Sequence, residues 1–140
     1  MRKWVALAAL VAVLACMMIP TVSFTEDRDT VLLAQTIYAL GRRESYETKL
    51  ALGTVVMNRV ENVWFADTLG EVLEEQHQFP AGSRYDDESL RAAHDVLSGE
   101  RVLPENALSW QAADASAAWG EENRVESMGN YNFYCANGNI

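Results

Sequence analysis

The stretch from residue 47 to about residue 60 constrains the fold more than any other part of this chain. Leu50, Ala51, Thr54, Val55 and Met57 to Asn58 recur at helical spacing and leave more than half of the circumference apolar. A helix of that kind has to be covered on several sides, so it takes the middle of a domain and the other elements pack around it. Upstream, Val31, Leu33, Ala34, Ile37 and Tyr38 predict a first helix over about 29–40, introduced by the polar, acidic lead-in Thr25 to Asp29 and interrupted by Gly41. Ser45 is placed to cap the central helix.

After the central helix, residues 64–82 read as a surface loop with one helical turn at about 69–75, broken by Pro80 and Gly82. A further helix opens at Asp86 and Asp87, carries Leu90, Ala93, His94 and Leu97 at i, i+3, i+4, i+7, and stops at Gly99. His94 on that stripe is expected to be a hydrogen-bonded core histidine. Beyond Pro104 the pattern changes to two short aromatic-rich runs, 107–111 and 131–134, separated by an acidic, alanine-rich link. They predict two strands of a small sheet. The fold class is therefore α+β, mainly helical, with a short C-terminal β element.

Arg2 and Lys3 precede a charge-free apolar run from Trp4 to Ile19, the layout of an export signal. At 16 residues the run is shorter than the roughly 20 needed to span a bilayer, and Pro20 breaks it. Cleavage is expected after Ser23, leaving residues 24–140 as one domain with no stable membrane span. Val13 to Cys16 loosely matches a bacterial lipobox, but leucine just before the small residue makes lipidation of Cys16 the weaker alternative. Cys135 is the other cysteine, so no intramolecular disulfide framework is expected. Removing Arg2 and Lys3 with the signal takes the formal charge from −9 to −11. Such a balance argues against nucleic acid and anionic lipid as partners, because phosphates are held by surplus Lys and Arg.

Leu33-Ala34-Gln35-Thr36-Ile37-Tyr38, then Arg42 to Glu47, Leu50-Ala51, and Val55 to Val60 resemble, without a gap, the opening of the spore-cortex-lytic, cell-wall-hydrolase family. Gln78-Phe79, Val96 to Gly99, and Met128-Gly129-Asn130 with Phe133-Tyr134 follow in the family's order. The resemblance implies a lysozyme-like or lytic-transglycosylase-like domain acting, outside the cytoplasm, on peptidoglycan glycan strands, with no cofactor. It also implies substrate-binding roles for Tyr38, Arg42, Asn58, Gln78, Phe79, Tyr131 and Tyr134.

Glycosidic cleavage needs a carboxylic acid that protonates the leaving oxygen, in surroundings that keep it protonated until then. A lytic transglycosylase needs one such acid, because the sugar's own hydroxyl closes on the anomeric carbon. The family's acid is the first glutamate of its Gly-Glu-Ala-Arg-Gly-Glu segment, which here reads Ala39-Leu40-Gly41-Arg42-Arg43-Glu44. Leu40 stands at the acid's position and cannot donate a proton. Glu44 is the candidate replacement, with Glu71, Glu74 and Glu75 as others; otherwise Glu44 is a helix-start carboxylate paired with Arg42 or Arg43. Where the family closes on Gly-Asn-His, this chain has Tyr131, whose flat face suits a sugar ring. Trp64, Trp110, Trp119 and Tyr134 offer the same face or pack the core. His77 sits in a loop beside Gln78. With two histidines and no Cys-x-x-Cys or His-Glu-x-x-His spacing, a metal site is not expected. Two functions follow: a cell wall hydrolase of lytic transglycosylase type, or an inactive relative that binds or regulates.

Overall fold

A computed structural model describes residues 26–75, 79–116 and 118–135. The expected signal segment, Cys16, His77 and Gln78 lie outside the described residues. The helices are α1 (Arg28–Gly41), α2 (Tyr46–Val60), α3 (Leu69–Glu74) and α4 (Asp87–Leu97), followed by strands β1 (Ala107–Ala112), β2 (Arg124–Met128) and β3 (Tyr131–Cys135). Among the described residues no helix is long and apolar enough to cross a membrane.

The helix starts follow from their caps. Ser45 Oγ accepts the Thr48 N–H at 3.2 Å, Asp86 Oδ1 accepts the Ser89 N–H at 2.7 Å, and Thr68 Oγ1 accepts the Glu71 N–H at 3.3 Å. Each bond satisfies an N–H that a helix start otherwise leaves unpaired. The central position expected for α2 is observed: it packs on α1, α3 and α4 and on strands β1 and β2. Gly53 makes this possible, since a Cβ there would lie 3.1 Å from Val96 and 3.2 Å from Ile37. With no side chain, α2 lets α1 and α4 close on it.

Two apolar clusters share α2. Leu33, Ile37, Leu50, Val56, Val72, Phe79 and Val96 fill the helical side. Ala51, Leu52, Val55, Leu103, Ala107 and Phe133 fill the side under the sheet. The sheet has the order β1-β3-β2 and is antiparallel throughout, with Trp110 and Glu126 both opposite Phe133, and Ala112 and Met128 both opposite Tyr131.

Two expectations are corrected. The sheet has three strands, because Arg124–Met128, within the stretch read as a link, pairs with β3 as an edge. His94 is not a core residue: α4 buries Ser89, Ala92, Ala93 and Val96, a face rotated from the Leu90, His94, Leu97 stripe. Small side chains face α1 and α2 because the helices approach closely there. His94 is left in solvent, its ring nitrogen 3.6 Å from Asp95.

Candidate functional site

The last turn of α1 and the turn between β2 and β3 meet, although they lie some 90 residues apart in the chain. α1 ends at Gly41, and the next residues form a turn closed by the Glu44 N–H on the Gly41 carbonyl at 2.9 Å. Glu44 is thereby turned toward the β2–β3 connection. Its Oε1 accepts the Asn130 side-chain N–H at 2.7 Å and its Oε2 the Asn130 backbone N–H at 3.2 Å. Both carboxylate oxygens are engaged in fastening the turn. No ion pair joins Glu44 to Arg42 or Arg43, both exposed; the sequence-adjacent partners are displaced by one that no local signal announces.

Leu40 is half-buried and touches both apolar clusters. The Tyr131 hydroxyl donates to the Leu40 carbonyl at 2.7 Å, which ties β3 to the end of α1. Burial, with the Glu44 charge adding to it, raises the Tyr131 phenol above its ordinary value of 10.0. A raised phenol contributes stability that is whole below the unfolded value and lost as pH rises through the folded one. Tyr131→Phe is therefore expected to cost about 1 kcal/mol at neutral pH through the lost hydrogen bond. It should also flatten the fall in stability as pH rises above the ordinary phenol value of 10.0. Denaturant unfolding at several pH values checks this; an equal alkaline fall in both proteins would assign the loss elsewhere.

Tyr131 begins a row of aromatic rings. Trp110 meets it edge-on at 5.7 Å between centroids, and Phe79 lies 6.3 Å from Trp110. The Arg59 guanidinium is 4.9 Å from the Phe79 ring and 5.1 Å from the Phe65 ring, which carries the row to the loop after α2. Arg59 is buried and donates Nε–H to the Leu108 carbonyl at 2.7 Å, fixing β1 to α2. Burial lowers its pKa to about 10, partly opposed by the nearby Glu75 charge.

Other residues expected at the site have interior duties. Asn58 is only 3% exposed, and its side-chain amide donates to the Pro104 and Ala107 carbonyls at 2.8 and 3.0 Å. It clamps the segment entering β1, where a substrate has no access. Tyr134 and Phe79 are buried, so neither offers an open ring face. Tyr38 is half-buried on α1. Of the four candidate stacking rings, Trp64 and Trp119 are exposed, Trp110 is half-buried and Tyr134 is core. Glu71 accepts a bond from its own cap Thr68, and Glu75 sits beside Arg59; neither is beside Leu40 in the chain or bonded to it. A recess of about 400 Å³ between α1 and α3 is lined by Arg28, Asp29, Leu32, Thr68, Glu71 and Glu74. It opens toward the start of α1, its α1 lining residues about 12 to 18 Å from Leu40 by helix rise. Among the described residues no group of His, Cys, Asp or Glu is arranged to hold a metal ion.

A central helix wrapped by three others, with a small antiparallel sheet closing over the end of the first, defines a lysozyme-like α+β domain. The fold is shared with the catalytic domain of the Bacillus cereus SleB protein, at a TM-score of 0.69 and 24% identity over 76% of this chain and 88% of that one. The catalytic domain of the germination-specific lytic transglycosylase SleB from Bacillus anthracis matches with a TM-score of 0.67 and 21% identity over 83% of this chain and 99% of that one. Residues 43–134 match the model of the cell wall hydrolase family, and the chain belongs to that family. A spore cortex-lytic enzyme of Halalkalibacterium halodurans is 34% identical over 80 residues, which is 53% of this chain. The chain spans about a quarter of that relative's length, 24%. The family match begins just after Leu40.

Proposed function

We propose that this is an exported domain that binds the glycan strands of peptidoglycan and does not cleave them. The observation that carries the reading is Leu40: an apolar side chain, packed into both halves of the core, stands where the resemblance calls for the proton donor. Glu44, the natural substitute, has both oxygens committed to Asn130. An acid serving as a structural fastener is badly placed for proton transfer, since an error of about 1 Å in catalytic geometry costs roughly 100-fold in rate. The family and its relatives point to the cell wall as the place of action, and the half-buried rings of Tyr131 and Trp110 suit a chain of sugars better than a charged polymer.

The test is sedimentation of residues 24–140 with purified peptidoglycan, followed by a profile of the soluble fragments. The protein is expected in the pellet, with no new anhydro-sugar or reducing ends above the untreated wall. Release of such ends by the unmodified protein, abolished by Glu44→Gln, would instead establish an enzyme with a relocated acid.

A further inference from the structure

Arg43 stands where the Gly-Glu-Ala-Arg-Gly-Glu segment has its second glycine, so this chain carries two adjacent guanidinium groups, Arg42 and Arg43, in the turn after α1. Both are exposed, and among the described residues neither forms an ion pair: the pairs found there are Lys49–Glu88, His94–Asp95, Arg101–Glu61 and Arg124–Glu121. The acids nearest in the chain do not answer them. Glu44 gives both oxygens to Asn130, and Glu47 lies exposed in the first turn of α2. Residues 42–44, two arginines against one glutamate, keep a formal charge of +1 in a chain of net charge −9.

The turn that carries them is fastened on both sides. Before it, the Leu40 carbonyl accepts the Tyr131 hydroxyl at 2.7 Å; after it, Glu44 accepts both N–H groups of Asn130. Arg42 and Arg43 lie between these fasteners, each within two residues, and so under about 8 Å between Cα atoms, of a residue bonded to Asn130 or Tyr131. The two charges are thus held beside the Tyr131–Trp110 rings on a backbone ordered before any ligand arrives, which reduces the cost of binding.

We propose that Arg43, with Arg42 beside it, binds a carboxylate carried on a side group of the glycan strand, and so selects acid-bearing strands over uncharged ones. The inference rests on the proposed function and adds to it the substrate class. A guanidinium presents paired N–H donors whose fork matches a carboxylate. The protein as a whole is negative and repels an acid-bearing strand, so a preference for one has to come from a local cation. At physiological salt the screening length is about 8 Å, which lets the immediate surroundings decide. A helix C-terminus also favours a nearby cation. That role alone would show as a change in stability with no change in ligand preference.

The experiment measures binding of the unmodified protein, Arg43→Gln and Arg43→Lys to three soluble preparations of one wall glycan. The first keeps its peptides, the second has lost them and retains the lactyl carboxylate, and the third keeps its peptides with every carboxylate converted to an amide. The unmodified protein should bind the first about 10-fold more tightly than the third, the size of one hydrogen bond to a charged group. Raising the salt should shrink that preference. Arg43→Gln should lose most of it, and Arg43→Lys, a point charge without the fork, should keep part. Tight binding of the second preparation would place the carboxylate on the lactyl group and weak binding would place it on the peptide; either upholds the inference. Equal binding of the first and third by the unmodified protein would overturn the inference while leaving the proposed function standing. So would an undiminished preference in Arg43→Gln, and a lowered denaturant midpoint alongside it would assign Arg43 to the end of α1. Absence of binding to all three preparations by the unmodified protein would overturn both.

Discussion

Leu40→Glu is expected to turn a silent domain into one that releases glycan-strand ends from purified peptidoglycan, by about 100-fold or more over the unmodified protein, the usual range for a positioned general acid. Residue 40 lies in the last turn of α1, half-buried between the helical cluster and the cluster under the sheet. A carboxyl placed there loses solvent, and desolvation disfavours its charged form. It would keep its proton to higher pH than an exposed glutamate, which is what protonation of a leaving oxygen requires. The nearby Tyr131 bond is to the backbone carbonyl of residue 40, so the substitution leaves that tie in place. Loss of the leucine's packing is expected to cost about 2 kcal/mol of stability, to be followed by denaturant unfolding. Leu40→Gln is the control, with the same length and polarity but no acid, and it should stay silent. Activity in the Gln variant would show that the carboxyl is not the source of the cleavage, whereas silence from a folded Glu variant that still pellets with peptidoglycan would show that more of the machinery than one acid has been lost.

The helical parts are legible in the sequence. Glycine and cap residues mark the ends of α1, α2 and α4, and the broad apolar surface of α2 states its central place. Leu40 was visible as a departure because the surrounding pattern keeps its spacing. What stayed hidden is physical in origin. β2 reads Arg-Val-Glu-Ser-Met and is mostly exposed, so an edge strand held by backbone pairing left no alternation to detect. The α4 face was misread because long apolar residues draw attention, whereas alanine and serine occupy the tightest contact, where volume is limiting. Asn58 and Tyr134 are the same problem in another form. Polar or aromatic character at a motif position does not distinguish a group facing substrate from one, like Asn58, that holds backbone segments together or, like Tyr134, that is buried in the core. The Glu44–Asn130 pairing, 86 residues apart, is a product of folding with no local trace.

That pairing leads to the largest stability effect expected of a single methyl group. Gly129 has φ of +54°, in the left-handed region, within the two-residue turn that joins Met128 to Tyr131. A Cβ at this position would collide with Glu44 Oε2 and lie 3.0 Å from Thr48 Oγ1. Gly129→Ala thus combines two costs. The left-handed conformation costs about 1–2 kcal/mol for a residue with a Cβ. Displacing the carboxylate breaks its bonds to Asn130, and a hydrogen bond to a charged group contributes about 1.5–3 kcal/mol. A total of about 3 kcal/mol is expected, read as a lower denaturant midpoint at unchanged slope. A second background separates the two costs. In Glu44→Ala the obstructing carboxylate is gone, so adding Gly129→Ala should cost only the conformational share, about 1 kcal/mol. The difference between backgrounds is the coupling of turn to carboxylate. If Gly129→Ala costs the same with and without Glu44, the carboxylate is not fastening the turn. Glu44 would then have a free acid group beside Leu40, and the case for an enzyme with a relocated acid would reopen.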